Sequence, residues 1–326
     1  MRIRFSFVAE PTIDYVRMLD LVLWSIRSNA GALAEAPISV IFTQRLHPAA
    51  GERFESLWRA TCSTAAPISE DYRYLNKWNF LRAPEMADTD WTIHLDHDTI
   101  IVNPLDQVAG WMQTSDDGFG GVPTGRPPHR RFDEIIRERT DLTSPEIEAT
   151  VHPWFKSRYP CFNSGVMFFR MDRRQEVFDE IVPLSQELHA RLGSNIRQPL
   201  RWARIHWNRR MWDRPATHRL MIGPWYGRVY SEQIALVLTV LKLRIPYRVW
   251  PHAWNWRSPG MNQGEESPIR ILHYLRSRFP VDRNNFTHGA WVEEFAASEN
   301  PGRRALANLM QRYRNEVPPL TVAEAE

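Results

Sequence analysis

Two aspartates two residues apart, Asp96 and Asp98, follow the apolar run Trp91-Thr-Ile-His-Leu95 and precede a second one, Thr99-Ile-Ile-Val102. Trp91, Ile93 and Leu95 alternate with Thr92 and His94, which is the period of a strand. In an extended segment this spacing directs both carboxylates to the same side. Carboxylates that converge at the end of a buried strand repel each other unless a cation sits between them or one is protonated. Oxygen donors of this kind suit Mg2+ or Mn2+.

The elements that must position such a pair are legible on either side of it. Residues 2–9 read as a strand, 12–30 as a helix and Ile38-Ser-Val-Ile-Phe42 as a second strand, the order of a βαβ unit with a parallel sheet. Tyr15, Met18, Leu19, Val22, Leu23 and Ile26 recur at helical spacing in the intervening helix. Residues 51–60 fit a second helix, and 76–87 a third that runs straight into the strand before Asp96. After Asn103-Pro-Leu105 come a short helix at 105–113 and a short strand at 118–122. Residues 124–160 are rich in Arg and Pro and weakly periodic, and are expected to form a long, partly helical, mobile insertion.

Cys161-Phe-Asn-Ser-Gly-Val-Met-Phe-Phe169 is a strong strand, and Asp172 can cap a helix over about 173–192. Residues 193–229 are irregular. Ser231 is a plausible N-cap for an apolar helix to about 243, and Tyr247–Trp250 and Ile269–Leu272 read as late strands. Residues 303–315 form an amphipathic helix, and the tail from 318 to 326 is expected to be disordered. No internal repeat or low-complexity linker divides the chain. The expected organisation is one domain over 1–290, a helical extension at 291–317 and the tail.

Composition narrows the class. The 326 residues are 43% hydrophobic, enough for a full core, and the formal charge is only +3. Three of the 41 basic residues are lysines, Lys77, Lys156 and Lys242. Arginine suits bidentate contact with phosphate or carboxylate, and the arginines leave room for contact with a membrane surface. They are scattered among acids with no aromatic-basic motif, which argues against nucleic acid. Two cysteines, Cys62 and Cys161, do not make a disulfide framework. The N-terminus reads as a strand rather than a signal peptide, and no run approaches the ~20 apolar residues of a membrane span. A cytoplasmic protein is expected. Among 14 tryptophans, Trp202, Trp207, Trp212, Trp225, Trp250, Trp254 and Trp256 are candidates to frame an acceptor pocket, or to be core.

His94-Leu-Asp-His-Asp-Thr-Ile-Ile-Val-Asn-Pro-Leu105 resembles the Asp-x-Asp signature of GT-A fold glycosyltransferases, in particular the family 8 type related to glycogenin and the bacterial galactosyltransferases. The resemblance implies a Rossmann-like α/β fold with a mixed, mostly parallel sheet flanked by helices. It implies a nucleotide diphosphate sugar as donor, a metal-assisted hexosyl transfer with retention, and Mn2+ (or Mg2+) as cofactor. Asp96 would touch the nucleotide ribose and the metal, and Asp98 would ligate the metal. The acceptor, a glycan, a lipid-linked or another molecule, is not readable.

Further stretches follow in the family's order. Lys77, in Asn76-Lys-Trp-Asn-Phe-Leu81, resembles the basic residue that reaches the sugar or diphosphate, although a solvated helix lysine reads equally well. Asn163-Ser164-Gly165 looks like the strand beside the donor sugar, where Asn163 is expected to hydrogen-bond a hydroxyl and Gly165 to admit close backbone approach. The plainer reading is a turn into a buried strand. Ser231-Glu232-Gln233 stands where the family usually has Asp-Gln at the head of a helix; a helix-capping acid is the alternative.

His273 matches the histidine that completes the metal site, and imidazole suits Mn better than Mg. The Gly and Lys-Pro-Trp that usually follow are absent, and Arg276 or Arg278 is the candidate for the lysine's charge on the diphosphate. Neither His94 nor His97 is assigned to the metal.

In this scheme Glu232 stabilises an oxocarbenium-like sugar, with Gln233 or the leaving diphosphate assisting; in an inverting enzyme Glu232 would be the general base. Rivals are a non-catalytic nucleotide-sugar or glycan binder on the same fold, and a sugar-1-phosphate nucleotidyltransferase. The latter wants a glycine-rich loop after strand one, where this chain has Ala9-Glu-Pro-Thr12. A haloacid-dehalogenase-like phosphatase wants Thr two residues after the second Asp, where this chain has Ile100.

Overall fold

Apolar, β-branched and aromatic runs bounded by turn residues set the centre of the molecule, and seven of them lie side by side. The structure, a computed structural model, describes residues 1–124, 132–140, 159–193, 231–257, 268–274 and 291–320. The first strands and helices are β1 (Ile3–Ala9), α1 (Ile13–Asn29), β2 (Ile38–Phe42), α2 (Pro48–Trp58) and β3 (Ala60–Thr64). A 3-10 turn (Arg73–Trp78), α3 (Asn79–Arg82) and a second 3-10 turn (Pro84–Met86) lead to β4 (Trp91–Leu95). Then come β5 (Thr99–Ile101), α4 (Asp106–Thr114), β6 (Phe119–Pro123), α5 (Phe132–Arg139), β7 (Phe162–Arg170) and α6 (Arg174–Gly193). The described C-terminal part holds α7 (Ser231–Lys242), β8 (Tyr247–Val249), a 3-10 turn (His252–Asn255), β9 (Trp256–Arg257), β10 (Ile271–His273), α8 (Trp291–Ala296) and α9 (Pro301–Glu316).

The main sheet runs β3-β2-β1-β4-β7-β6-β8. The β1–β2, β1–β4, β2–β3 and β6–β8 pairs are parallel, and β7 is antiparallel to both β4 and β6. The expected mixed, mostly parallel sheet is therefore present. A small second sheet, β5-β10-β9, stands beside it. Successive residues of β7 enter different cores: Val166 and Phe168 join one, Met167 and Phe169 the other. Period-2 geometry makes these opposite faces of the sheet. One face is covered by α1, α2, α4, α8 and α9, the other by α3, α5, α6 and α7.

Several expectations are corrected in detail. All five residues of β4 are buried, so its alternation separates two buried faces rather than core from solvent, as a central strand requires. The helix expected over 76–87 is a chain of short turns. Pro84 drives Ala83 to an extended conformation, which ends α3. The second helix starts at Pro48, pre-set for a first helical position, not at 51. β3 escaped the sequence reading because Ala60-Thr-Cys-Ser-Thr64 is an edge strand with few apolar residues to reveal it. Asp172 is no cap: it lies in a 3-10 turn before α6 and pairs with Arg170.

Trp250, Trp254 and Trp256 are core, not pocket wall. They are buried with Trp91, Trp111 and Phe168, and the Trp111 and Trp250 rings meet edge-on at 5.4 Å. Of the expected insertion, α5 is described and 125–131 and 141–158 lie outside the described residues. So do Trp202, Trp207, Trp212, Trp225 and the tail from 321. Helix α9 packs onto α1 and α2 through a buried polar knot. Asp20 accepts from Arg53 at 3.0 and 2.8 Å, from the Trp58 indole at 2.6 Å and from the Tyr313 hydroxyl. Among the described residues, no helix is long and apolar enough to cross a membrane.

Candidate functional site

The parallel strand β4 ends at Leu95, and the chain then turns. Thr99 closes that turn by donating its backbone N–H (3.2 Å) and its hydroxyl (2.7 Å) to the Asp96 carbonyl. The two carboxylates thus converge because of a turn, not because of strand pleating, which corrects the extended-segment expectation. The turn also sends the chain into β5, which leaves the main sheet and pairs antiparallel with β10, setting Thr99 opposite His273. That pairing carries a distant histidine to the aspartates. The His273 Nε2 lies 3.0 Å from Asp98 Oδ1, and one donor atom each from Asp96, Asp98 and His273 fall within 4.8 Å of one another.

Strand β7 closes the site from the other side. Because it runs antiparallel to β4, its first residues lie beside the last residues of β4, and the Asp96 N–H donates to the Gly165 carbonyl at 2.9 Å. Its pairing with β6 is irregular here. Gly121 faces Met167 while the next residue, Val122, faces Asn163, so Ser164–Val166 form a bulge. Bulges re-aim side chains, and this one delivers Ser164 and Gly165 into the site. Gly165 is needed for its lack of a side chain. A Cβ there would meet His273 Cε1 at 2.5 Å, Asn163 Oδ1 at 2.9 Å and Asp96 Oδ2 at 2.9 Å. The groups that crowd Gly165 are thus the side chains of His273, Asn163 and Asp96.

Lys77 is not a solvated helix lysine. Its Nζ is buried against Asp96 Oδ1 at 3.2 Å, the Ser164 hydroxyl at 2.9 Å and the Ser164 carbonyl at 3.4 Å. The Ser164 hydroxyl lies 3.2 Å from Glu232 Oε1. Glu232, in the first turn of α7, is 1% exposed, and its other oxygen accepts from the Tyr72 hydroxyl at 2.6 Å. The Tyr72 oxygen in turn accepts the Glu232 N–H at 3.0 Å. Burial holds the Glu232 carboxyl above the usual range, opposed by Lys77 and by the hydrogen bonds from Tyr72, its own N–H and Ser164. The Tyr72 phenol is pushed up by burial and then by the Glu232 charge. Gln233 is buried beside Glu232.

His94 takes no part in the acidic cluster. Its ring stacks on Phe80 at 4.4 Å, its Nδ1 meets the Ser6 hydroxyl at 3.1 Å, and burial pushes its pKa down to about 3. His97 packs edge-on against Tyr15 at 4.2 Å. Arg276 and Arg278 lie outside the described residues. Two site residues carried no sequence assignment. Tyr72 sits in a polar stretch with nothing to mark it. Asn255 had a signal: a polar residue between Trp254 and Trp256 in a buried run must find a buried partner. Its partners are His273 Nδ1 at 3.0 Å and Asn163 Oδ1 at 2.7 Å.

The donor set, two carboxylates and an imidazole with one donor atom each within 4.8 Å of the others, fits a divalent cation of the Mn2+ or Mg2+ kind. Around it, among the described residues, lie the buried ammonium of Lys77 and the buried carboxyl of Glu232.

No family model matches the sequence, and no curated protein matches it. Solved structures do match by fold. An active-site mutant of LgtC superposes with a TM-score of 0.52 at 13% identity, covering 95% of this chain and 95% of that one. The apo-form glycosyltransferase GlyE from Streptococcus pneumoniae TIGR4 superposes with a TM-score of 0.51 at 10% identity, covering 97% of this chain and 64% of GlyE. At these identities the likeness establishes the fold, the GT-A arrangement of a mostly parallel sheet between helical layers.

Proposed function

On that fold, we propose that the chain is a glycosyltransferase. It would move a hexosyl group from a nucleotide diphosphate sugar to a glycan, lipid-linked or other acceptor. The observation that carries this reading is the convergence of Asp96, Asp98 and His273 at the end of β4. In open α/β sheets, ligands lie beyond the carboxyl ends of the parallel strands. Asp96, Asp98 and His273 would hold the divalent cation. When bound, such an ion offsets the negative charge that gathers on a leaving diphosphate.

The chain's own groups divide the remaining work. Lys77 is locked between Asp96 and Ser164, and its fixed charge would act on a phosphate or sugar oxygen through the field it sets up in the site. Arg276 or Arg278 would add charge on the diphosphate. Glu232 has both oxygens engaged, by Ser164 and Tyr72, which suits a fixed negative charge under an oxocarbenium-like sugar better than a base that must reach for a proton. Retention of configuration is the outcome that the family resemblance implies, with Gln233 or a diphosphate oxygen assisting.

The test is a thermal-shift panel of nucleotide sugars with and without Mn2+, followed by product analysis with the donor that stabilises. A binder raises the unfolding temperature by mass action. We expect one donor class to stabilise the wild type only with metal, and Asp98→Ala to lose both the shift and turnover. Absence of any shift with metal present would overturn the proposal. A metal-dependent shift with no turnover toward any acceptor or water would mark a binding module instead.

A further inference from the structure

We propose that Asn163 and Asn255 are positioning residues that fix the tautomer of His273, so that its Nε2 presents a lone pair to a metal ion; this rests on the metal site proposed above. The reasoning starts from a backbone amide. The Gly165 N–H can only donate, so the Asn163 atom 2.9 Å away is the amide oxygen. The same oxygen lies 2.7 Å from Asn255, so the Asn255 atom facing it is the donating Nδ2. The other end of Asn255, its oxygen, then faces His273 Nδ1 at 3.0 Å. An oxygen with no hydrogen requires one on its partner, so Nδ1 carries the proton. In the neutral ring that leaves the lone pair on Nε2.

That nitrogen lies 3.0 Å from Asp98 Oδ1. Two acceptors facing each other at this distance repel, and a shared cation turns the repulsion into ligation. Metal-bound imidazoles are oriented in this manner by the hydrogen bond that their other nitrogen makes. The relay is built on fixed elements. Asn163 opens the β7 bulge, and Asn255 ends the 3-10 turn before β9, the strand that pairs in parallel with β10 and sets Trp256 opposite Leu272. Asn255 is fully buried, His273 is 4% exposed and Asn163 is 7% exposed. The Asn163 oxygen is therefore committed to the protein, which turns the expectation of a sugar contact into a different role.

The two roles separate in an experiment without any donor. Mn2+ alone is titrated into the full chain and free ion is read by electron paramagnetic resonance, for the wild type and for Asn255→Leu, Asn163→Leu and Asn163→Asp. A positioning role predicts a 10–100-fold loss of Mn2+ affinity for both leucine variants. Asn163→Asp keeps an oxygen that accepts from Gly165 and Asn255, and should bind at least as well as the wild type. Nitrogen-15 spectra of the metal-free wild type should show a protonated Nδ1 at His273, a reading that does not depend on any variant folding. A sugar-contacting Asn163 would leave Mn2+ binding unchanged without donor.

The Nε2–H tautomer in the metal-free wild type, or wild-type affinity in both leucine variants, would overturn the inference alone. A wild type that binds no Mn2+ would overturn the metal reading beneath it as well.

Discussion

The sharpest quantitative consequence of the site concerns one missing methyl group. The Gly165→Ala variant places a Cβ 2.5 Å from His273 Cε1 and 2.9 Å from both Asn163 Oδ1 and Asp96 Oδ2. Among the described glycines only Gly31 has a positive φ, so alanine at 165 carries no backbone strain and the effect is purely steric. Ordinary contact begins near 3.4 Å, so the imidazole must retreat by about 0.9 Å. None of the three neighbours is a loose end. His273 is held by Asn255, Asn163 by Gly165 and Asn255, and Asp96 by Lys77.

Forced overpacking of this kind costs ~1–3 kcal/mol. Loss of glycine freedom in the unfolded chain offsets ~0.4–1 kcal/mol of it. The expected net destabilisation by urea unfolding lies between about 0 and 2.6 kcal/mol, with a midpoint of about 1.3 kcal/mol. Metal–ligand distances tolerate only about 0.2 Å, so Mn2+ affinity should fall at least tenfold. The matched control is Gly110→Ala in α4, where nothing lies within 4 Å of a new Cβ. That variant should gain up to about 1 kcal/mol from helix propensity and bind Mn2+ as the wild type does. Wild-type stability and affinity in Gly165→Ala would refute the reasoning, because it would show that the three groups move apart freely.

Three further outcomes are expected. Asp20→Asn strips the charge that buried Arg53 faces and should cost ~3–5 kcal/mol in equilibrium unfolding; a loss under 1 kcal/mol would mean that the knot joining α9 to α1 and α2 relaxes without it. Burial and then Glu55 push the Cys62 thiol up to about 12, so its thiolate fraction near pH 8 is about 10⁻⁴. With Cys161 buried and Cys62 half-buried, a thiol-specific disulfide reagent should label both thiols fast only after denaturation, and rapid labelling of the native chain would contradict this. Glu232 has a raised pKa in the fold, so its stabilising protonated form is full below the ordinary carboxylate range and is lost as pH rises through the folded value. Glu232→Gln lacks that loss, so its melting temperature relative to wild type should increase from about pH 4 to about pH 8; a difference that ignores pH would refute it.

The sequence shows best what is local and periodic. β1, α1, β2, β4, β7 and α9 announce themselves through spacing, and each lies within a few residues of its expected bounds. β3 does not, because an edge strand needs little apolar surface and writes no pattern. The helix expected near Lys77 fails at Pro84, a breaker that the apolar spacing concealed. Of the site, Asp96 and Asp98 are visible because they interrupt an apolar run. The geometry joining them is not visible, since it depends on a turn at 96–99 and on a bulge that shifts one strand against its neighbour. Tyr72 and Asn255 act through contacts across the fold, with Glu232 and with Asn163 and His273, and pairings at that separation leave no trace in local spacing.

The β5–β10 pairing has a consequence in time as well as in space. β1 to β4 can assemble their parallel sheet while the chain is still being made, but β5 cannot pair with β10 until His273 has emerged. Contacts between parts so distant along the chain form late and slowly. A chain cut off before β10 would carry both aspartates on a largely formed sheet and still lack the third donor. Affinity at the proposed metal site would then report that synthesis has passed β10, and a cation captured at that moment would hold that strand in place.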